Sequence, residues 1–149
     1  MPSKLTRRRN MILAALAAEL GASFAPVQVQ KLFFLLDENV ADALGGRLFN
    51  FAPYHYGPFD ADVYHELDVL QRAGYVDIRW HGPSAGNRRY SLTPVGQTAG
   101  EAALADLPAG VRGYVGKLSA WVRSLSFAQL VGAIYKAYPA MRTNSVFRG

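Results

Sequence analysis

A chain of 149 residues, half of them hydrophobic, can bury one substantial core and lies in the size range of a single domain, so residues 1–149 are read as one unit. It holds no cysteine, which excludes disulfides, thiolate metal sites and cysteine nucleophiles together and fits a reducing, cytoplasmic setting. The formal charge of +5 is unevenly spread: Lys4, Arg7, Arg8, Arg9 and Lys31 outweigh Glu19 in residues 1–36, seven carboxylates outweigh Arg47 in 37–68, and 69–149 are basic again.

No apolar run approaches the roughly 20 residues of a membrane-spanning helix. The basic stretch Lys4–Arg9 leads into MILAALAAELGA, which contains Glu19 and lacks a cleavage site, so no membrane partner is expected. Residues 1–9 read as a basic arm. From Asn10 to Leu20, Met11, Ile12, Leu16 and Leu20 share a helical stripe that Gly21 ends. Pro26 suits the first turn of a second helix, where Val29, Leu32, Phe33, Leu36 and Val40 keep a 3.6 spacing and Phe34 and Leu35 widen the apolar face. That breadth predicts a central, heavily buried helix. Gly45 and Gly46 end it, and Leu48 to Phe51 reads as a short strand or extended link.

Pro53 and the Gly57-Pro58 pair then interrupt regular structure before Asp60, a good N-cap for a third helix with Val63, Tyr64, Leu67 and Leu70 on one side and Gly74 as its stop. Tyr75 to Trp80 alternates, and Arg88 to Leu92 follows the loop 81–87, which predicts a hairpin. Thr93-Pro94 starts a small-residue helix to about Leu104, Pro108 opens another that reaches Arg123, and the capping box Ser126–Gln129 begins a last one that stops before Pro139. The tail 140–149 has no period and is expected to be loosely held.

Three helices, then a hairpin running into RRYSLTPVGQ, is the order of a winged-helix domain, with the loop 81–87 as its wing. The expected fold is thus α+β, mostly α-helical: a winged-helix-like three-helix core over 10–105 with a two-stranded hairpin, and additional C-terminal helices over 106–139. Those helices either pack on the core or pair two chains as a homodimer.

Lys31-Leu32-Phe33, Tyr56-Gly57-Pro58, Val63-Tyr64 and Gly74-Tyr75-Val76 together make the segment Gln30–Ile78 resemble the Panacea-type, SocA-like antitoxin families and the related YwgA-like bacterial proteins. Pro53, Tyr54 and His55 stand where those families commonly carry a tryptophan ahead of the Tyr-Gly-Pro. The resemblance implies a non-enzymatic bacterial protein-binding module, antitoxin-like or proteolytic-adaptor-like.

The residues themselves offer little for catalysis. His65 and Glu66 are adjacent on a helix and point about 100° apart, with no second histidine four residues on, so the HExxH geometry is absent. Gly45-Gly46 follows a helix where a phosphate loop precedes one, and Ser84 and Ser91 have no nearby base. No catalytic residue, metal or cofactor is expected.

Two kinds of partner fit instead. In the first, Tyr54, Tyr56 and Phe59, with Tyr64, form an aromatic cluster beside the carboxylates Asp62, Glu66 and Asp68, all expected to be exposed, and this acidic rim suits a basic protein such as a toxin. Core packing is the alternative role for Tyr56 and Tyr64. In the second, a winged-helix transcriptional regulator, Arg7, Arg8, Arg9, Arg79, Arg88 and Arg89 grip DNA phosphates from arm and wing, although an acidic third helix is a poor reader of the major groove.

Overall fold

The computed structural model describes residues 2–84 and 87–148. It is mostly helical, 61% of the chain, with two small antiparallel hairpins, an α+β arrangement. Ala85 and Gly86, in the loop expected to form a wing, lie outside the described residues.

The first helix, α1 (Lys4–Ala17), begins six residues earlier than its apolar stripe predicts. Ser3 caps it, its hydroxyl accepting from the Thr6 amide at 3.1 Å, and the basic run is therefore helical, not an extended arm. Every residue from Met11 to Ala17 is buried, because α4 (Pro94–Ala105) lies along the same helix. The approach is close enough that a Cβ on Gly100 would sit 2.4 Å from the Leu13 carbonyl oxygen. Only glycine fits there.

Helix α2 (Pro26–Val40) is the central element, buried continuously from Val29 to Asp37. A 3-10 turn, Ala41–Leu44, and Gly45 in the left-handed region at φ 80° complete its exit. The Asp37 carboxylate, inside the core, accepts from the amides of Leu48 (2.8 Å) and Phe49 (2.9 Å). Those bonds pin the following loop to α2. Burial still holds the acid above the ordinary aspartate range, against the opposing pull of these two amides.

Strands β1 (Ala52–Tyr54) and β2 (Gly57–Phe59) form a hairpin across His55 and Tyr56 where the sequence predicts only a turn. Helix α3 (Ala61–Arg72) follows, with Asp60 as its N-cap as expected. The Gln30 side chain on α2 both donates to and accepts from the Asp60 backbone, each at 3.0 Å, which fixes where α3 starts. Strands β3 (Val76–Trp80) and β4 (Arg88–Leu92) pair antiparallel as the expected hairpin, and Phe24 adds an isolated bridge to Tyr90 through two 2.9 Å bonds.

Thr93 caps α4 through Gly96, and Ser126 caps α6 (Phe127–Ala137) through its capping box, both as predicted. Helices α5 (Ala109–Ser124) and α6 pack on α2, and Val115, Leu118, Val122, Leu130 and Ile134 join the single hydrophobic cluster. The tail is not loosely held. Val146 donates its amide to the His55 carbonyl at 2.9 Å, Asn144 reaches the Pro53 carbonyl at 3.3 Å, and Ser145 accepts from the Tyr135 hydroxyl at 2.6 Å. The tail thus secures the free edge of β1, which explains how a three-residue strand containing proline persists. Among the described residues no helix is long and apolar enough to cross a membrane.

Candidate functional site

The first turns of α2 and α6, the β1–β2 hairpin, α3 and β4 surround one groove of about 580 Å³. Its walls are largely aromatic: Tyr54, Tyr56, Phe59, Tyr64 and Phe127, with His55 at the hairpin tip. The rings touch in series. Tyr54 stacks on His55 at 4.2 Å and on Phe59 at 5.2 Å, Phe59 meets Tyr64 edge-on at 5.7 Å, and Tyr56 meets Phe127 edge-on at 5.1 Å. The hairpin brings these residues together because Tyr54 pairs with Gly57 across a two-residue turn. Gly57 adopts φ 98°, and a Cβ there would lie 3.3 Å from the Tyr135 ring. Any side chain at 57 is strained twice, by backbone and by space.

Tyr54, Tyr56 and Phe127 remain 50%, 44% and 44% exposed. Tyr56 therefore is not core. Tyr64 is half-buried, with burial pushing its hydroxyl above the ordinary tyrosine range against the pull of Arg88 and Gln30.

Beneath Gly57 lies Lys31, 3% exposed. Its Nζ donates to the Pro58 carbonyl at 3.3 Å, and a Cβ on Gly57 would be 3.8 Å from it. Among the described residues no Asp or Glu lines the groove, whereas Lys31, Arg88 and Arg89 do. Desolvation lowers the Lys31 amine to about 7. Sequence reasoning missed Lys31 as a site residue, although the signal was present. A helix apolar on nearly every side has no solvent face on which to display a lysine.

The carboxylates expected at the rim are placed differently. Asp62 pairs with Arg8 at 3.4 Å, and Asp68 is half-buried on α3. Glu66 is 1% exposed, its carboxylate 3.2 Å from Arg9, which corrects the expectation that all three face solvent. The reason is the helical stripe itself: Glu66 falls three residues after Val63 and four before Leu70, inside the apolar face. None of the three lines the groove.

The six arginines expected on DNA are dispersed over three places. Arg7 donates to the Leu44 and Gly45 carbonyls at 2.9 and 3.1 Å. Arg8 donates to the Leu48 carbonyl and lies over the Phe49 ring, and Arg9 holds Glu66. Arg79 pairs with Asp77 on the outer end of β3 at 2.9 Å. Arg88 stacks over Tyr64, Trp80 and Tyr90 at 5.0 to 5.6 Å, and Arg89 donates to the Arg88 carbonyl. His65 is exposed, and among the described residues no three His, Asp or Glu side chains converge as a metal site.

No known family model matches this chain, and no curated protein matches it in sequence.

Proposed function

We propose that this chain is a non-enzymatic protein-binding module, and that the groove between the β1–β2 hairpin and α6 is its docking site. One observation carries this reading: three large rings, Tyr54, Tyr56 and Phe127, stand exposed around a single concavity whose backbone is locked by Gly57, Lys31 and the tail. Exposed aromatics grouped on a preorganised surface mark binding sites, since each ring contributes large contact area at small entropic cost. The helix order α1–α2–α3 followed by β3–β4 supports a winged-helix-like core as the scaffold, and the likeness of Gln30–Ile78 to antitoxin-like or adaptor-like proteins points to the same class of function.

The runner-up is a DNA-binding regulator, favoured by Arg88 and Arg89 on β4. It is weakened by the fates of Arg7, Arg8 and Arg9, whose guanidinium groups are engaged by carbonyls and carboxylates of their own chain. Affinity capture of partners after nuclease treatment, run beside a DNA mobility shift, separates the two. Tyr56→Ser and Phe127→Ser are expected to release the captured protein at least tenfold while leaving the fold and any DNA shift unchanged. Retained capture in both variants, with a sequence-selective shift lost on Arg88→Gln, replaces this reading with the regulator.

A further inference from the structure

The groove pairs an apolar surface with an imbalance of charge. Its aromatic walls favour a ring or aliphatic side chain, yet among the described residues its charged side chains are all cations, and the innermost, Lys31, is almost fully buried against a lone carbonyl. An ammonium has three protons to donate. The Pro58 carbonyl takes one, and no ion pair to Lys31 exists among the described residues. The other buried charges have more partners within the chain: Asp37 accepts from two backbone amides, and one oxygen of Glu66 meets the Arg9 guanidinium. Burying a cation without a counter-charge is costly, and Lys31 lines the groove, through which an opposite charge can reach it.

We propose that the groove receives a segment of a partner protein in which an Asp or Glu lies next to an aromatic residue, the carboxylate pairing with Lys31 and the ring packing among Tyr54, Tyr56 and Phe127. The proposal rests on the protein-binding reading and specifies the partner: an acidic aromatic segment, where the sequence alone suggested a basic protein. Charge complementarity argues for it, because a basic segment would face the Lys31 ammonium, and among the described residues no carboxylate lines the cavity. Gly57 contributes by leaving the space above Lys31 free of a side chain.

Binding of a carboxylate favours the charged amine, so association takes up a proton wherever the free lysine is neutral. With the amine at about 7 in the free chain, affinity is highest below that pH and falls by about 20-fold between pH 6.5 and 8.5. The other titratable or charged groups that line or adjoin this space are Tyr54, His55 and Tyr56 of the hairpin, Tyr64 of α3, Tyr135 of α6, and Arg88 and Arg89 of β4. His55→Gln separates the imidazole's share of the pH dependence from that of Lys31.

The test uses two doubly capped tripeptides, Phe-Asp-Phe and Phe-Asn-Phe, titrated into the full chain and followed by amide chemical shifts. The Asp peptide is expected to bind at least tenfold more tightly at pH 6.5, with shifts centred on residues 54–59 and 127, and this preference should vanish by pH 9. Lys31→Met should bind both peptides equally, at the affinity of the wild type for the Asn peptide. Equal affinity of the wild-type chain for both peptides overturns the proposal without recourse to any variant, as does an Asp preference that survives Lys31→Met. If the peptides bind alike while Tyr56→Ser and Phe127→Ser still release the captured partner, the protein-binding reading stands and the carboxylate inference falls.

Discussion

Besides Asp37, which backbone amides hold in the core, two regions of this molecule bury charge, and they do so in opposite ways. Along the seam of α1 and α3, Glu66 is inside but Arg9 meets it, and Arg8 reaches both Asp62 and the Leu48 carbonyl. Under the hairpin, Lys31 is inside and meets one neutral oxygen. A paired buried charge fastens elements together, and removing one member leaves the other stranded. A buried charge without its opposite weakens the fold that holds it, and such a residue is retained where it does something else. The seam thus ties α1 to α3, while the groove's unpaired Lys31 is what the proposed docking role would use.

The largest effect that sharpens it is a dependence of stability on pH. Unfolded, Lys31 ionises near 10.5; in the fold it ionises at about 7. Between these values the unfolded chain holds the extra proton, so raising the pH through the window stabilises the fold, by on the order of 5 kcal/mol at most. Above pH 10 the gain reverses, since burial keeps Tyr64 and Tyr90 protonated in the fold after their unfolded counterparts ionise. Urea unfolding at each pH, taken as wild type minus Lys31→Met, should show the rise only in the wild-type chain.

Next come two substitutions of the same kind with opposite signs. Arg9→Met strands the Glu66 carboxylate and should cost about 2–3 kcal/mol at pH 7, allowing for the partial exposure of the arginine. Lys31→Met removes an uncompensated charge and should stabilise the chain by about 1–2 kcal/mol. Denaturation midpoints of the two variants that move in the same direction would erase the distinction between the regions. Gly57→Val, with φ 98° and the Tyr135 ring 3.3 Å from the new Cβ, should cost about 1–3 kcal/mol; a thermal melt equal to wild type would show the hairpin to be less constrained than these contacts require.

The elements governed by local signals were legible in the sequence: α2 by its wide apolar face, α3 by Asp60, α4 by Thr93-Pro94 and α6 by its capping box. Those governed by distant contacts were not. Lys4–Arg9 carries almost no apolar residue, and it is helical where its arginines find the carbonyls of 44, 45 and 48 and the carboxylates of α3. The β1–β2 hairpin is too short and too rich in proline for a period of two to register, and the tail that secures it lies ninety residues away. At the site, the aromatic cluster of Tyr54, Tyr56 and Phe59 was foreseen, but its acidic rim was not found. Glu66 lies on the apolar stripe of its helix, and the same reading of periodicity that placed Val63 and Leu67 inside would have placed it there too.

The distinction between the two regions rests on the state of one amine, so the most direct measurement is the titration of Lys31 itself. In the full, ligand-free chain labelled with carbon-13 at lysine Cε, the Lys31 resonance should titrate with a midpoint near 7 and move upward in pH when the Phe-Asp-Phe peptide is bound. A midpoint within a unit of the ordinary value of about 10.4, unchanged by the peptide, would mean that Lys31 is solvated or already paired, and the groove would lose its claim to an acidic partner.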